Sequence, residues 1–173
     1  MSGFGLLVPF LSVRFGLLSL LNREAVGRAA HFAPMRGGEK AAYWIYQLSN
    51  AALFLYLPFL RVRTEQALPL FAGLICYLAG LVLCAASIAG FAAPSGGGLC
   101  TKGIYRFSRN PMYVSYFLCF AGMALLVRSA ALTGIVLVFQ VSAHWIILAE
   151  ERWCLETFGA AYQHYARRVR RYL

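Results

Sequence analysis

The stretch ALPLFAGLICYLAGLVLCAASIAGF, residues 67–91, contains no Asp, Glu, Lys or Arg. A helix that crosses the hydrocarbon core of a bilayer needs about 20 consecutive, mostly apolar residues. This stretch has that length and no charged side chain. It therefore predicts a transmembrane helix, and it sets the interpretation of the rest of the chain.

Three further apolar segments have the same character, and each of them stops at charged residues. Residues 41–60 stop at an arginine, residues 111–127 stop at Arg128, and residues 130–149 stop at a pair of glutamates. All three are close to the length of a spanning helix. Because almost nothing separates the last two segments, we expect them to form a tight antiparallel hairpin.

A fifth segment, residues 4–21, combines apolar residues with one charge. Its twelve large apolar residues each contribute about −0.3 to −0.6 kcal/mol to insertion, whereas Arg14 near the middle costs about +2.5 to +3.5 kcal/mol. The sum of these free energies favours a helix that crosses the membrane. A helix that lies in the membrane interface is the alternative, and a signal peptide is disfavoured because no Lys or Arg precedes the apolar run.

Composition agrees with a membrane protein. Of the 173 residues, 61% are hydrophobic and 13% are charged, against roughly 45–50% and about 25% in soluble domains. A soluble chain of this size has too little interior to bury so much apolar surface. We predict a single all-α membrane domain: an integral helical bundle of four or five transmembrane helices, with a C-terminal helical hairpin and a cytoplasmic interfacial helix.

The net charge of +10 follows from the predicted topology. If all five segments cross, twelve of the sixteen Lys and Arg residues fall on one side and three on the other. Cytoplasmic loops carry such an excess, so we expect a cytoplasmic C-terminus in a bacterial inner membrane or an endoplasmic-reticulum-type membrane. No nucleic-acid partner is expected, because no soluble binding module is visible.

Two common sequence signatures are missing. The five cysteines form no CxxC pair and have no His at ligand spacing, so neither a disulfide framework nor a metal site is predicted. The sequence AAPSGGG at residues 92–98 reads as a flexible linker and not as a GxGxxG loop after a strand. A dinucleotide-binding or other soluble Rossmann-type fold is therefore unsupported.

Small and polar residues inside the apolar segments predict how the helices pack. In residues 67–91 small side chains recur every three or four positions, including Gly73, Gly80 and Ser87, and such stripes let helix backbones approach closely. In the last segment Gln140 and His144 share a face. Polar groups there bond to a neighbouring helix or face a wet cavity, and both interpretations stay open.

One stretch outside the apolar segments reads LCTKGIYRFSRNPMY, residues 99–113. Asn110 followed by Pro111 is a good helix start, because Asn caps a helix and Pro at its first position needs no N–H partner. The same N-terminus offers free N–H groups to an anion. Arg109, the residue before Asn110, has a guanidinium group that can donate two parallel hydrogen bonds to a carboxylate.

A second stretch reads EERWCLETFGAAYQHYARRVRRYL, residues 150–173. Glu150 and Glu151 lie where the last apolar segment ends, and Tyr162, Tyr165 and Arg168 recur at intervals of three on a predicted interfacial helix. The simplest interpretation is a basic tail that lies on anionic lipid. The density of chemically capable side chains points to a functional site as well.

Both stretches resemble one family. The motif GIYRFSRNPMY at residues 103–113, and the glutamate pair followed by FGAAYQHY at residues 158–165, are similar to the signatures of the isoprenylcysteine carboxyl methyltransferase and phospholipid methyltransferase group. The resemblance covers roughly residues 69–172, so we expect N-terminal helices in residues 1–66 and a methyltransferase-like core in residues 67–173. Many members have His where this chain has Asn110, which weakens a proton-accepting role for that position.

The resemblance implies S-adenosylmethionine (SAM) as the methyl donor, bound on the cytoplasmic side between the last two membrane helices and the C-terminal segment. It implies a lipophilic acceptor that enters from the bilayer: an isoprenoid carboxylate or thiol, or a phospholipid amine. The expected catalytic residues are Arg109, Glu151 and Arg168. The expected cofactor-binding residues are Tyr105, Arg109, Asn110, Pro111, Tyr113, His144, Glu150, Glu151, Tyr162 and Tyr165.

Particular roles follow from the chemistry of SAM and the acceptor. Aromatic faces, Trp145 among them, suit the cationic sulfonium, and either glutamate could hold the ammonium group or the ribose. Arg168 or Arg171 could orient an acceptor carboxylate, and a glutamate could take the proton of an acceptor amine. The alternatives are a catalytically silent module that binds lipid or a partner, and a small transporter, which the lack of internal repeats disfavours.

Overall fold

The computed structural model describes residues 2–30, 32–94 and 98–172, and in this part of the chain it is helical and contains no strand. The predicted all-α membrane bundle is confirmed. Three helical segments are long and apolar enough to cross a membrane, namely Phe4–Leu21, Ala67–Ala92 and Ala130–Arg168, and a shorter apolar helix spans Pro111–Val127. Part of the predicted linker, residues 95–97, lies outside the described residues.

The helices follow one another in a simple order. The first spanning segment consists of α1 (Phe4–Leu11), a π-helical stretch (Ser12–Leu17) and α2 (Leu18–Leu21), which run on without a break. The remaining helices are α3 (Arg23–Ala30), α4 (Glu39–Tyr56), α5 (Ala67–Ala92), α6 (Pro111–Val127) and α7 (Ala130–Arg168), with short 3₁₀ turns at Leu57–Phe59 and Gly103–Arg106.

Two hydrogen bonds define the two ends of the bundle. The N–H of Gly3 donates to the carbonyl of Leu60 at 2.8 Å, while the side-chain amide of Asn22 donates to the carbonyl of Ala92 at 3.1 Å. The segment Phe4–Leu21 therefore runs from one end to the other. We call the end with Asn22 and Ala92 the site end, and the end with Gly3 and Leu60 the far end.

Helices α5 and α6 approach closely through glycines. A Cβ added to Gly80 would lie 2.6 Å from the backbone nitrogen of Cys119, and one added to Gly122 would lie 2.6 Å from that of Tyr77. No side chain fits in such gaps. The predicted stripe of small residues thus forms the helix–helix contact, since without it the backbones could not meet.

The hairpin between α6 and α7 is as tight as the sequence predicts. Arg128 turns the chain with a left-handed backbone (φ 53°), and the hydroxyl of Ser129 caps α7 by accepting a hydrogen bond from the N–H of Leu132 at 3.2 Å. Helix α4 then runs antiparallel to α7, with Tyr46 stacked on Phe139 at 4.8 Å between ring centroids.

Helix α7 does not stop where its apolar segment stops. It continues past residues 130–149 to Arg168 and bends sharply at Gly159, whose φ of 51° and ψ of −125° are not helical. Glycine tolerates such a backbone because it has no Cβ. The bend returns the C-terminal residues to the start of α6, where the N–H of Arg109 donates to the carbonyl of Arg170 at 2.9 Å.

Candidate functional site

A cavity of about 460 Å³ lies at the site end of the bundle. It is bordered by the linker after α5, the start of α6, the middle of α7 and the segment after Gly159. The structure brings nine of the residues predicted from the sequence into its lining: Tyr105, Arg109, Asn110, Pro111, Tyr113, Glu150, Glu151, Tyr162 and Tyr165.

Glu151 is the centre of a charged network beside the cavity. Its carboxylate accepts hydrogen bonds from Nε and Nη2 of Arg109 at 3.1 and 3.2 Å, and from Nε of Arg171 at 3.0 Å. The side chains of Arg109 and Glu151 are only 12% and 13% exposed. A carboxylate with two such partners is neutralised, so Glu151 stabilises the site and does not present a free negative charge to the cavity.

The remaining nitrogen of the Arg109 guanidinium is also bonded. Nη1 donates to the carbonyl of Ala166 at 2.9 Å, beyond the bend at Gly159. The fork that the sequence suggested for a ligand carboxylate is therefore occupied by the protein itself. Arg109 ties three elements together: the start of α6, the middle of α7 and the C-terminal segment.

Asn110 stands at the N-cap position of α6, but its side chain makes no capping hydrogen bond. The predicted capping role is wrong, because Nδ2 instead donates to Oε1 of Glu151 and to the carbonyl of Arg171, both at 3.1 Å. Pro111 is the first helical residue, as expected. Asn110 thus joins the Glu151 network as a donor and does not act as a proton acceptor.

Glu150 differs from its neighbour because no Lys or Arg is bonded to it among the described residues. Its Oε1 accepts a 2.7 Å hydrogen bond from the hydroxyl of Tyr113. Burial raises the pKa of Glu150 to about 7, and the Tyr113 hydrogen bond opposes part of that rise. A carboxyl group with such a pKa can accept or release a proton near neutral pH, or bind a cation.

Tyrosines from separate elements also line the cavity. The hydroxyl of Tyr165 donates to the carbonyl of Tyr105 at 2.6 Å, and the ring of Tyr162 meets that of Tyr165 edge to face at 6.1 Å. Burial raises the pKa of all three phenols. They stay neutral at physiological pH and offer aromatic faces to the cavity.

Four residues singled out from the sequence do not line the cavity. Nδ1 of His144 is hydrogen-bonded to the hydroxyl of Tyr172, and His144 does not line the cavity. Arg168 is exposed and also outside the lining. Trp145 is 49% exposed on the outer surface of α7. Arg171 reaches Glu151 instead of the open space of the cavity.

The N-terminal region contributes to the cavity in a way that the sequence interpretation did not include. Arg14 of the π-helical stretch, Phe32 and Ala33 ahead of α4, and Tyr46 within α4 all line it. One signal was available: Arg14 is the only charged residue within residues 4–21, and charges in spanning helices face an interior or a cavity.

Comparison with known proteins identifies the family. The phospholipid methyltransferase family matches residues 70–161, which is more than half of the chain. The chain therefore belongs to the phospholipid methyltransferase family, and this family suggests a membrane methyltransferase. The searches of curated proteins and of solved structures gave no match.

Proposed function

We propose that this protein transfers the methyl group of SAM to a lipophilic acceptor, with its site on the cytoplasmic face of the membrane. The observation that carries the proposal is Glu150, which lines an aromatic cavity at the site end and to which none of the described Lys and Arg side chains is bonded. Family membership implies a methyl donor. The excess of Lys and Arg toward the site end supports the cytoplasmic assignment.

The residues present fit SAM. A cavity of about 460 Å³ falls within the range of roughly 300–1,000 Å³ usual for cofactor sites. Tyrosine rings and a carboxylate are the groups that attract a cation such as a sulfonium or an ammonium. When bound, SAM would supply a methyl group attached to a positively charged sulfur. The acceptor would attack the methyl carbon in line, and the bond from that carbon to the sulfur would break.

Individual residues then have distinct roles. Glu150 holds positive charge at the donor site, and Tyr113 orients its carboxyl group. The network of Arg109, Asn110 and Glu151 holds the C-terminal segment over the start of α6. Such a fixed cover aligns the two reactants and excludes water, which is the main contribution that a protein makes to methyl transfer.

The acceptor follows from the position of the cavity between membrane helices. Its lining includes residues of α4 and α6 as well as Arg14 of the first spanning segment, so an acceptor dissolved in the bilayer reaches it directly. An amine acceptor forms an N–CH₃ bond and releases a proton, which Glu150 takes up. A carboxylate or thiolate acceptor forms its bond to the methyl group without releasing a proton.

The first test is calorimetric titration of the detergent-purified protein with SAM. We expect micromolar binding that is weakened at least tenfold in Glu150→Gln. Glu65→Gln is the matched control, because Glu65 is an exposed glutamate between α4 and α5, and it should bind like the wild type. Transfer of a labelled methyl group to prenyl carboxylates, prenyl thiols and phosphatidylethanolamine then identifies the acceptor.

The opposite result would be just as informative. If protein that elutes as a single folded species shows no heat on SAM titration, the proposal fails. The silent lipid-binding or partner-binding module would then be the better description.

A further inference from the structure

Arg14 is a charged residue in the middle of the first spanning segment, Phe4–Leu21, where it lines the cavity. Its guanidinium lies 4.3 Å from the ring centroid of Tyr116 and 5.3 Å from that of Phe15. An arginine at such depth costs several kcal/mol unless it is paired or solvated. A charge placed in the membrane at this cost calls for a functional explanation.

Among the side chains that the structure describes, which do not include that of Glu24, no carboxylate is paired with this charge. The ion pairs between them use Arg36, Arg109, Arg152 and Arg171. Of the described side chains, three tyrosines and a cysteine interact with Arg14 electrostatically: Tyr46, Tyr113, Tyr116 and Cys84. All four are neutral, so they solvate a guanidinium without neutralising it.

The local backbone is also unusual. Arg14 belongs to the π-helical stretch Ser12–Leu17, and π-helical turns are frequently found at functional sites. The helices on either side of this stretch, α1 and α2, are ordinary α-helix. Its coincidence with the one charge of the segment favours a role for Arg14 beyond packing.

The cavity is therefore chemically polarised. Tyr116, which contacts Arg14, lies 6.2 Å from Tyr113 between ring centroids, and the hydroxyl of Tyr113 donates to Glu150. A row of two tyrosines thus separates a cation at membrane depth from a carboxyl group at the site end. A ligand with its anionic group at Arg14 directs its other end toward Glu150.

We propose that Arg14 binds the anionic group of the methyl acceptor, a phosphodiester or a carboxylate, and so selects acidic lipophiles from the bilayer. This proposal rests on the proposed function for the identity of the ligand. A guanidinium suits both oxyanions, because it can donate two parallel hydrogen bonds to either. Arg109 and Arg171 are unsuited to this role, since Glu151 occupies them.

The test measures binding of single-chain amphiphiles, independently of methyl transfer. Decyl phosphate and decanoate are the anionic probes, decanol is the uncharged probe, and each is titrated from decyl maltoside micelles. The signal is the fluorescence of Trp153, which lines the cavity, in a background where Trp44 and Trp145 are replaced by Phe. The chain has three tryptophans, so Trp153 is then the single reporter.

We expect saturable binding of at least one anionic probe, at least tenfold tighter than that of decanol. Arg14→Gln should reduce the affinity for the anion to that for decanol and leave decanol binding unchanged. Arg14→Lys, which keeps the charge without the fork, should show an intermediate affinity. Arg63→Gln is the matched control, because Arg63 is an exposed arginine between α4 and α5, and it should bind like the wild type.

The two anionic probes distinguish the two kinds of acceptor. Tighter binding of decyl phosphate indicates a phospholipid-like acceptor, and tighter binding of decanoate indicates a carboxylate acceptor. The thermal midpoint of Arg14→Gln should equal or exceed that of the wild type, because the change removes an unpaired charge from the membrane. A purely structural Arg14 would lower the midpoint and leave the anion preference intact.

Two outcomes would overturn the proposal: anions that bind the wild type no better than decanol, or an anion preference that survives Arg14→Gln. Calorimetry with SAM on the same samples keeps the two proposals apart. SAM binding without an Arg14-dependent anion preference overturns only the role of Arg14. An Arg14-dependent preference without SAM binding overturns only the methyltransferase proposal and leaves an acidic-lipid site.

Discussion

The hydroxyl of Tyr113 donates a 2.7 Å hydrogen bond to Oε1 of Glu150, joining the first turn of α6 to the point where the apolar part of α7 ends. The bond keeps the carboxyl group oriented in either protonation state. Burial nevertheless raises the pKa of Glu150 to about 7. Its charge therefore changes within the range of physiological pH.

The first prediction concerns the pH dependence of SAM binding. If the ionised form of Glu150 holds the cation, the pKa of about 7 makes SAM affinity about tenfold weaker at pH 6 than at pH 8. Titration calorimetry at the two values measures this ratio. Glu150→Gln removes the titrating group and should bind weakly and equally at both, which also corrects for titration of SAM itself.

The same shift has a consequence for the protein without ligand. A carboxyl group whose pKa is higher in the folded than in the unfolded state stabilises the fold only while it is protonated. That contribution is complete below about pH 4.5 and is lost as the pH rises through about 7.

For the binding prediction, a wild-type affinity for SAM that does not change between pH 6 and pH 8 would contradict the assignment of Glu150.

The second prediction concerns the pair of Arg109 and Glu151. Their side chains are 12% and 13% exposed, and removing one partner of such a pair typically costs about 3–5 kcal/mol. We expect Arg109→Ala and Glu151→Ala each to lower the thermal midpoint strongly. The double variant should be destabilised by less than the sum of the two single changes, because either single change already removes the hydrogen bonds that the two side chains share.

An exposed ion pair of the same chemistry serves as the control. Arg36 and Glu156 are 66% and 52% exposed, and such pairs contribute about 0–1 kcal/mol. Arg36→Ala should therefore leave the midpoint nearly unchanged. Simple additivity of the two changes at Arg109 and Glu151 would show that these residues do not act as a pair.

The elements predicted well from the sequence are those that local composition decides. An uncharged run such as residues 67–91 has one stable arrangement in a bilayer, a helix, and two residues between apolar segments leave room only for a hairpin. The bend at Gly159 and the course of α7 beyond the membrane depend on contacts with the start of α6. Those contacts involve residues far apart in the chain, so local sequence could not predict them.

The candidate site shows the same division. Motif positions placed Tyr105, Glu150 and their neighbours in one region, and they do line one cavity. Which partner each side chain takes was not predictable, because Arg109 could serve a ligand or Glu151 equally well by chemistry alone. The lone charge of Arg14 indicates that it faces an interior or a cavity, but which cavity it lines depends on how the N-terminal segment packs against α6, and local sequence does not determine that packing.

The third prediction concerns the contact between α5 and α6. A Cβ at Gly122 would lie 2.6 Å from the backbone nitrogen of Tyr77 and 2.8 Å from the carbonyl oxygen of Gly73. Gly122→Ala must therefore separate two backbones, at a cost of about 1–3 kcal/mol. The measurement is the thermal midpoint in detergent.

Gly134 of α7 supplies a matched control, because a Cβ there meets nothing within 4 Å. Gly134→Ala should leave the midpoint unchanged or raise it, since Ala is the better helix former by about 1 kcal/mol. Equal effects at the two glycines would show that backbone contact is not what requires Gly122.

The last prediction concerns the segment before α4. We expect this segment to affect SAM affinity without affecting the ionisation of Glu150. Arg152 of α7 donates to both oxygens of Glu39, at 2.6 and 2.7 Å, and to the carbonyl of Pro34 at 3.1 Å. These bonds hold the segment that carries Phe32 and Ala33 against the cavity. Glu39→Gln should weaken SAM binding by about fivefold or less, as expected for the loss of a partly exposed ion pair.

The pH dependence distinguishes this effect from that of Glu150. The hydrogen bond from Arg152 lowers the pKa of Glu39 to about 2, so its stabilising contribution is present above about pH 4.5 and is lost only as the pH falls toward 2. Glu39→Gln should therefore reduce SAM affinity by the same factor at pH 6 and at pH 8, and the tenfold difference of the wild type should remain. A loss of that difference in Glu39→Gln would mean that residues 32–39 control the ionisation of Glu150, and that the segment belongs to the catalytic site itself.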